Sequence, residues 1–226
     1  MYFEVTPNWK STYPGAHAGV LVMRGVTNPA LHLELERRKE TLVDDLRVRF
    51  AGGDRAALEA LPVIQAYSAY YKRFKKTYHV LLQLESIVFK GRTLPSVSGL
   101  VEAMFMAEVK NLLLTAGHDL DALRLPLVLD VAHAEETYTL LRGEAQALKA
   151  CDMRIADQEG VVSSIIYGPD QRTPIRESTT GVVFTVYAPP GIDAQAVAAH
   201  LQDIEGYVRL FAPDARVELR QVFAAD

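Results

Sequence analysis

The residues best suited to chemistry lie between two apolar runs, Ile165-Ile166-Tyr167 and Val182-Val183-Phe184. There the chain carries Gly168, Asp170, Gln171, Arg172, Thr173, Arg176, Glu177, Ser178, Thr179 and Thr180. That is far more polar functionality than a turn requires. A loop with this content can present backbone N–H groups and hydroxyls to a ligand, with Asp170 orienting a water and Arg172 contacting a phosphate. The alternative is a polar hairpin loop in which Arg172 pairs with Asp170 or Glu177. Two other clusters set imidazole beside carboxylate: His118-Asp119-Leu120-Asp121, and Asp130 with His133, Glu135 and Glu136. Neither has the paired-histidine spacing that puts two metal ligands on one helical face, so no metal and no cofactor is expected. His118 and Asp119 fit equally well a helix end passing into the next helix start. Cys151 has no closer basic neighbours than Lys149 and Arg154, and its sulfur is expected to be a buried thiol rather than a nucleophile. Ser163 and Ser164 sit in an apolar strand, where hydroxyls serve packing and hydrogen bonding. The sequence contains no Gly-x-x-x-x-Gly-Lys-Ser/Thr, no Gly-x-Gly-x-x-Gly and no Gly-x-Ser-x-Gly.

A second chemistry is electrostatic. Lys72, Arg73, Lys75, Lys76, Lys90 and Arg92 face one acid, Glu85, over residues 72–92, although the whole chain has a net charge of −4. A local excess of +5 on an acidic body can hold a polyanion at one face while the rest resists indiscriminate sticking. Tyr67, Tyr70, Tyr71, Phe74 and Tyr78 interleave with these cations at three- and four-residue steps. They read either as stacking platforms for bases or as an aromatic core stripe with a solvated basic face.

These residues need elements to position them. Tyr2 to Val5 and Val20 to Val26 read as strands. Thr27-Asn28-Pro29 is expected to cap a long helix whose Leu31, Leu35, Leu42, Leu46 and Phe50 share a face until Gly52-Gly53. Pro62 opens the aromatic helix; further helices are expected over 81–89 and from Ser96 or Ser98 to about Leu114. The second half changes to strands at 126–131, 136–141, 153–157, 161–167 and 182–187. Asp193 then caps a helix with Val197, Leu201, Ile204, Val208 and Phe211 on one side, ended by Pro213, before a half-exposed strand over 216–220. The order predicts an α+β fold: a mostly antiparallel sheet or partial barrel packed with helices. No linker long enough to separate two domains and no internal repeat is visible.

Composition sets the outer bounds. With 226 residues, 49% of them apolar and 23% charged, the chain can bury a sizeable core. One cysteine excludes an internal disulfide framework. No apolar run approaches a membrane span, and the first twenty residues lack a signal-peptide pattern, so a cytoplasmic protein without a membrane partner is expected.

Several motifs share an order and spacing with one family. They are Tyr71-Lys72-x-Phe74; Phe89-Lys90-Gly91-Arg92-x-Leu94-Pro95-x-Val97-x-x-Leu100-Val101-Glu102; Gly117-x-Asp119-Leu120-Asp121; Gly168-x-Asp170-x-Arg172-Thr173-x-Ile175; and Thr179-Thr180 ahead of an apolar strand. Together they resemble the B-three/B-four domain of the phenylalanyl-tRNA synthetase β subunit and its free-standing relatives, over roughly residues 62–212. The resemblance implies a B-three/B-four-like domain over 62–226 preceded by an amino-terminal extension over 1–61, two strands and a long helix packed on the core. It implies tRNA as the partner, with hydrolysis in trans of a misacylated aminoacyl ester. Asp170, Thr180, His118 and Asp121 would be catalytic. Gly168, Arg172, Thr173 and Thr179 would hold the substrate, and Lys72, Arg73, Lys75, Lys76, Lys90 and Arg92 the RNA backbone. Two departures accompany the match. The family's editing site has a Thr-Asn pair where this chain has Met104-Phe105, and a histidine where it has Asp121. A non-catalytic RNA-binding or small-ligand-binding module with the same fold is the alternative.

Overall fold

The eight-residue run His17–Arg24, apolar at nearly every position, sits where such a strand must, inside a sheet. In the computed structural model, which describes residues 2–226, it is β2. In chain order the elements are β1 (Phe3–Val5), α1 (Pro7–Thr12), β2, α2 (Leu33–Arg49), α3 (Arg55–Glu59), α4 (Pro62–Arg73), α5 (His79–Val88), α6 (Gly99–Asn111), β3 (Leu114–Asp119) and a 3-10 turn (Leu120–Ala122). They continue with β4 (Leu127–Val131), β5 (Thr137–Thr139), β6 (Ala145–Ala147), β7 (Met153–Asp157), β8 (Gly160–Ser164), β9 (Gly168–Pro169), β10 (Gly181–Ala188), α7 (Ala194–Arg209) and β11 (Arg216–Ala224). The fold is α+β. A four-stranded antiparallel sheet runs β11-β2-β10-β3; a five-stranded sheet runs β1-β4-β7-β8-β9, antiparallel except for the parallel β1–β4 pair; β5 and β6 form a separate hairpin. The sheets are open rather than closed into a barrel.

Residues 1–61, expected as an extension laid on the core, supply an inner strand of it: β2 lies between β11 and β10 with in-register pairing from Gly181↔Arg24 to Ala188↔His17. Gly19 of β2 admits α7 closely, since a Cβ there would lie 2.6 Å from Val197 Cγ1. A continuous apolar core joins both sheets and the helices, from Phe3 and Trp9 to Val208.

The aromatic stripe belongs to that core. Tyr67, Tyr70, Tyr71, Phe74 and Tyr78 are all buried, and Tyr67 stacks on Tyr78 at 4.2 Å between centroids. Each tyrosine hydroxyl satisfies a backbone or carboxylate group. Tyr67 donates to Tyr187 O and accepts from Leu114 N; Tyr71 donates to Ile165 O at 2.8 Å; Tyr78 donates to Leu112 O at 2.9 Å. Tyr70 donates to Asp152 Oδ1 and accepts from Met153 N, both at 2.6 Å. These bonds tie α4 to both sheets, because a buried phenol without a partner would be costly. The rings are therefore unavailable to bases, and the cations alone remain outside.

Several local expectations change. The long helix starts at Leu33, not at Asn28-Pro29. Asn28 instead accepts from Leu100 N at 2.9 Å and donates to Arg176 O at 2.9 Å, capping α6 from a distance. The aromatic helix stops at Arg73, where Lys75 takes φ 58°, and Tyr78 precedes α5 rather than ending α4. His118 and Asp119 close a strand, not a helix. Cys151 is exposed on a turn at φ 66° rather than buried.

Candidate binding cavity and its surroundings

Where the two sheets meet under α5 and α6, a cavity of about 590 Å³ opens. Its walls come from α6 (Val101, Met104, Phe105, Glu108), the start of β3 (Thr115, Ala116, Gly117), and the end of β8 with the turn after it (Ser164 to Gly168). His79 and Gln83 of α5, Ile175, Tyr187 and the exposed side chains of Val97 and Leu141 complete it. The size suits a small organic ligand, and the lining is mostly apolar with few polar groups. Gly117 keeps it open, because a Cβ there would meet Ile175 Cδ1 at 2.8 Å. Met104 and Phe105, which stand where the family resemblance has Thr-Asn, form part of the apolar wall. A second cavity of about 330 Å³ adjoins it, sharing His79, Gln83 and Phe105.

The residues singled out from sequence fall into three places. Gly168, at φ 86°, is the one among the eight expected catalytic and substrate-binding residues that lines the cavity. Asp170, Thr173 and His118 form a buried network beside it, and Thr179 is buried against Asp119. The Thr173 hydroxyl donates to Asp170 Oδ1, the Thr173 N–H donates to the same oxygen at 3.1 Å, and Thr173 Oγ1 lies 2.8 Å from His118 Nδ1. With its proton committed to Asp170, that hydroxyl accepts from His118, which fixes the proton on Nδ1 and leaves Nε2 as a buried acceptor without a protein partner. Burial, with a smaller effect from the Arg172 charge, pushes the His118 pKa down to about 4, so the imidazole is neutral at pH 7. Burial also raises the Asp170 carboxyl, against the opposing hydrogen bonds from Thr173. Thr179 donates to Asp119 Oδ2 at 2.6 Å and accepts from Arg176 N at 2.9 Å.

Arg172 is held by carboxylates: 2.8 Å to Asp157, 3.3 Å to Glu159 and 3.7 Å to Asp170, with a further bond to Ala122 O at 3.0 Å. Its forked donors are thereby engaged by the protein. Thr180 and Asp121 are exposed on the outer side, where Asp121 pairs with Arg24 at 2.9 Å.

The six expected RNA-binding cations are exposed. The Arg73 guanidinium lies 5.1 Å from the Tyr13 ring centroid and Lys76 Nζ lies 5.9 Å from that of Tyr167. Tyr167 also lines the cavity, so the basic end of α4 reaches its rim. A groove beside this end includes Lys72, Lys76 and Arg55. Among the described residues, no group of three or more His, Cys, Asp or Glu is disposed to hold a metal ion, and no helix is long and apolar enough to cross a membrane.

Glu108, inside the cavity, is the polar residue missed from sequence. Glu108 accepts from Thr115 N at 2.8 Å and is 2% exposed; burial pushes its carboxyl up to about 8. A single carboxylate within the otherwise apolar run Met104 to Val109 was the available signal, since charged side chains are rarely placed there without use.

Among solved structures, one that is similar in fold aligns over nearly the whole chain. That structure, an N-terminal fragment of the phenylalanyl-tRNA synthetase β subunit from Pyrococcus horikoshii, aligns with a TM-score of 0.52, covering 98% of this chain and 53% of the fragment, at 11% identity. The fold is similar to that of the synthetase β subunit's N-terminal region. At this identity the likeness concerns the fold, and the chain spans about half of the fragment's length. A curated protein, the bifunctional protein GlmU from Brevibacillus brevis, is 30% identical over 129 residues, which is 57% of this chain and 27% of that protein. No family model matches the chain. Against the synthetase-like fold, the expectation of an α+β, B-three/B-four-like architecture holds.

Proposed function

We propose that this protein binds the aminoacylated 3′ end of a tRNA, seating an apolar aminoacyl group in the cavity between α6, β3 and β8 without hydrolysing it. The observation that carries this reading is the meeting of two features at one rim. An apolar cavity of about 590 Å³ opens at Tyr167, and Lys76, from the basic end of α4, sits 5.9 Å from that ring. The apolar walls favour an uncharged side chain. Lys72, Arg73, Lys75 and Lys76 offer the RNA backbone its counter-charges, and the synthetase-β-like fold is consistent with such a partner.

Hydrolysis in trans is the stronger form of the same reading. It requires a water held against the ester by groups within the cavity. Asp170, Thr173 and His118 bond in a chain beside the cavity and none of them lines it, and Met104 and Phe105 offer the ester no polar contact. The binding form is therefore the better supported.

The two forms differ in sign in one assay. tRNAs charged through their natural esters with apolar amino acids are incubated with the protein, and ester loss is followed in time. A binding module that encloses the ester slows its loss relative to free aminoacyl-tRNA, whereas a deacylase accelerates it. Replacing Lys72, Arg73, Lys75 and Lys76 by glutamine should weaken retention and flatten its salt dependence. No retention and no change in ester lifetime would sink both forms.

A further inference from the structure

Within the cavity most polar side chains are already satisfied. The Tyr187 hydroxyl bonds Ser163, Thr115 Oγ1 lies 2.7 Å from His200 Nε2, and Ser164 Oγ accepts from Tyr167 N at 3.1 Å. Unspent capacity remains on Glu108 and Gln83, and on the His79 ring, whose one recorded contact is Nδ1 at 3.3 Å from the Tyr71 hydroxyl. Glu108 uses one carboxyl oxygen on Thr115 N, and its other oxygen makes no hydrogen bond among the described residues. Gln83 Oε1 is buried with no partner. Glu108 and Gln83 each present an unpaired oxygen, and no lysine or arginine lines the cavity among the described residues.

This inventory is selective. A ligand carboxylate or phosphate entering the cavity would be desolvated with no lysine or arginine to compensate its charge, which costs affinity steeply. A ligand ammonium would meet a carboxyl group in a dry, low-dielectric setting, where a charge-assisted hydrogen bond is strong. A free amino acid brings both charges; an amino acid in ester or amide linkage brings the ammonium alone.

Resting on the cavity reading above, we propose that Glu108 is the specificity-determining residue of this site. It holds the free α-ammonium of an apolar aminoacyl group whose carboxyl is esterified or amidated, and the site rejects the same amino acid as a free carboxylate. Gln83, shared with the adjoining cavity of about 330 Å³, provides a second unpaired oxygen.

Puromycin is a suitable probe: an adenosine-like nucleoside in stable amide linkage to an apolar aromatic amino acid, with a free ammonium and no carboxylate. Calorimetric titration of the full chain would compare puromycin, N-acetylpuromycin and free O-methyltyrosine on wild type and on Glu108→Gln, which keeps an oxygen for Thr115 N. The expected result is binding of puromycin, a loss of tenfold or more on acetylation, and no measurable binding of O-methyltyrosine. Glu108→Gln should lose a similar factor for puromycin and abolish the difference between it and its acetylated form. Puromycin binding that changes less than twofold on acetylation and in Glu108→Gln would overturn the role of Glu108 while leaving the cavity reading standing. Absence of puromycin binding by wild type would overturn both. If Glu108→Gln does not fold, the acetylation comparison on wild type decides by itself.

Discussion

Thr173 holds together the polar network that the sequence marks as reactive. Its hydroxyl donates to Asp170 and accepts from His118, so removing it leaves two buried polar groups without a partner. Thr173→Val should cost about 1–3 kcal/mol of stability in denaturant titration. Thr180→Val, on an exposed side chain, should stay within about 0.5 kcal/mol. A similar loss from both would mean the network is not what holds this segment. Glu108 gives a signature with a definite sign. Burial raises its carboxyl from 4.5 to about 8. Between those values the unfolded chain gives up the proton while the folded chain keeps it, so the group's contribution falls as pH rises through this window. Glu108→Gln removes that loss, and its melting temperature should gain on wild type steadily from pH 5 to pH 8. A difference independent of pH would show that Glu108 titrates normally. Asp152, which burial also raises, to about 7, is present in both proteins and cancels in the comparison. At this scale the sequence revealed unusual residue types but not where they point. Asp170 and Arg172 were legible as a polar cluster, yet whether their partners are a ligand or each other depends on Asp157 and Glu159, which approach from another turn.

Among the elements, periodicity located helices and strands well and their ends poorly. α6 and α7 lie where their apolar spacing and the Asp193 cap place them; that cap accepts from Ala196 N at 2.7 Å. α2 begins late because Asn28, locally a good cap, is recruited by α6 across the fold. The 168–180 segment connects two sheets rather than forming a hairpin, since β9 pairs with β8 while β10 pairs with β2 and β3. Long-range pairing decides this, and local sequence carries little of it. The contact of α7 with β2 depends on a missing side chain. A methyl group at Gly19 would sit 2.6 Å from Val197 Cγ1 and 3.2 Å from Leu201 Cδ1. Gly19→Ala should therefore destabilise the protein by roughly 1–3 kcal/mol through overpacking. An unchanged unfolding midpoint would mean that α7 shifts freely on the sheet.

For the molecule as a whole, a net charge of −4 is a poor guide, because six exposed cations gather at the end of α4 and the α5–α6 connection. The aromatic residues among them point inward and hold the sheets together, so the outer face presents these cations and not these rings. Sequence resemblance pointed to the fold, and the structural likeness bears it out over 98% of the chain. The cavity was not legible, because its walls come from α5, α6, β3, β8 and β10, widely separated in sequence. Charge at the rim and an apolar chamber behind it make one testable claim: the protein distinguishes a charged tRNA from an uncharged one. The most direct test is the ratio of dissociation constants, at fixed salt, for a tRNA carrying phenylalanine in amide linkage at its 3′ end and for the same tRNA uncharged. The account predicts that the charged form binds tenfold or more tighter; equal affinity for the two would contradict it.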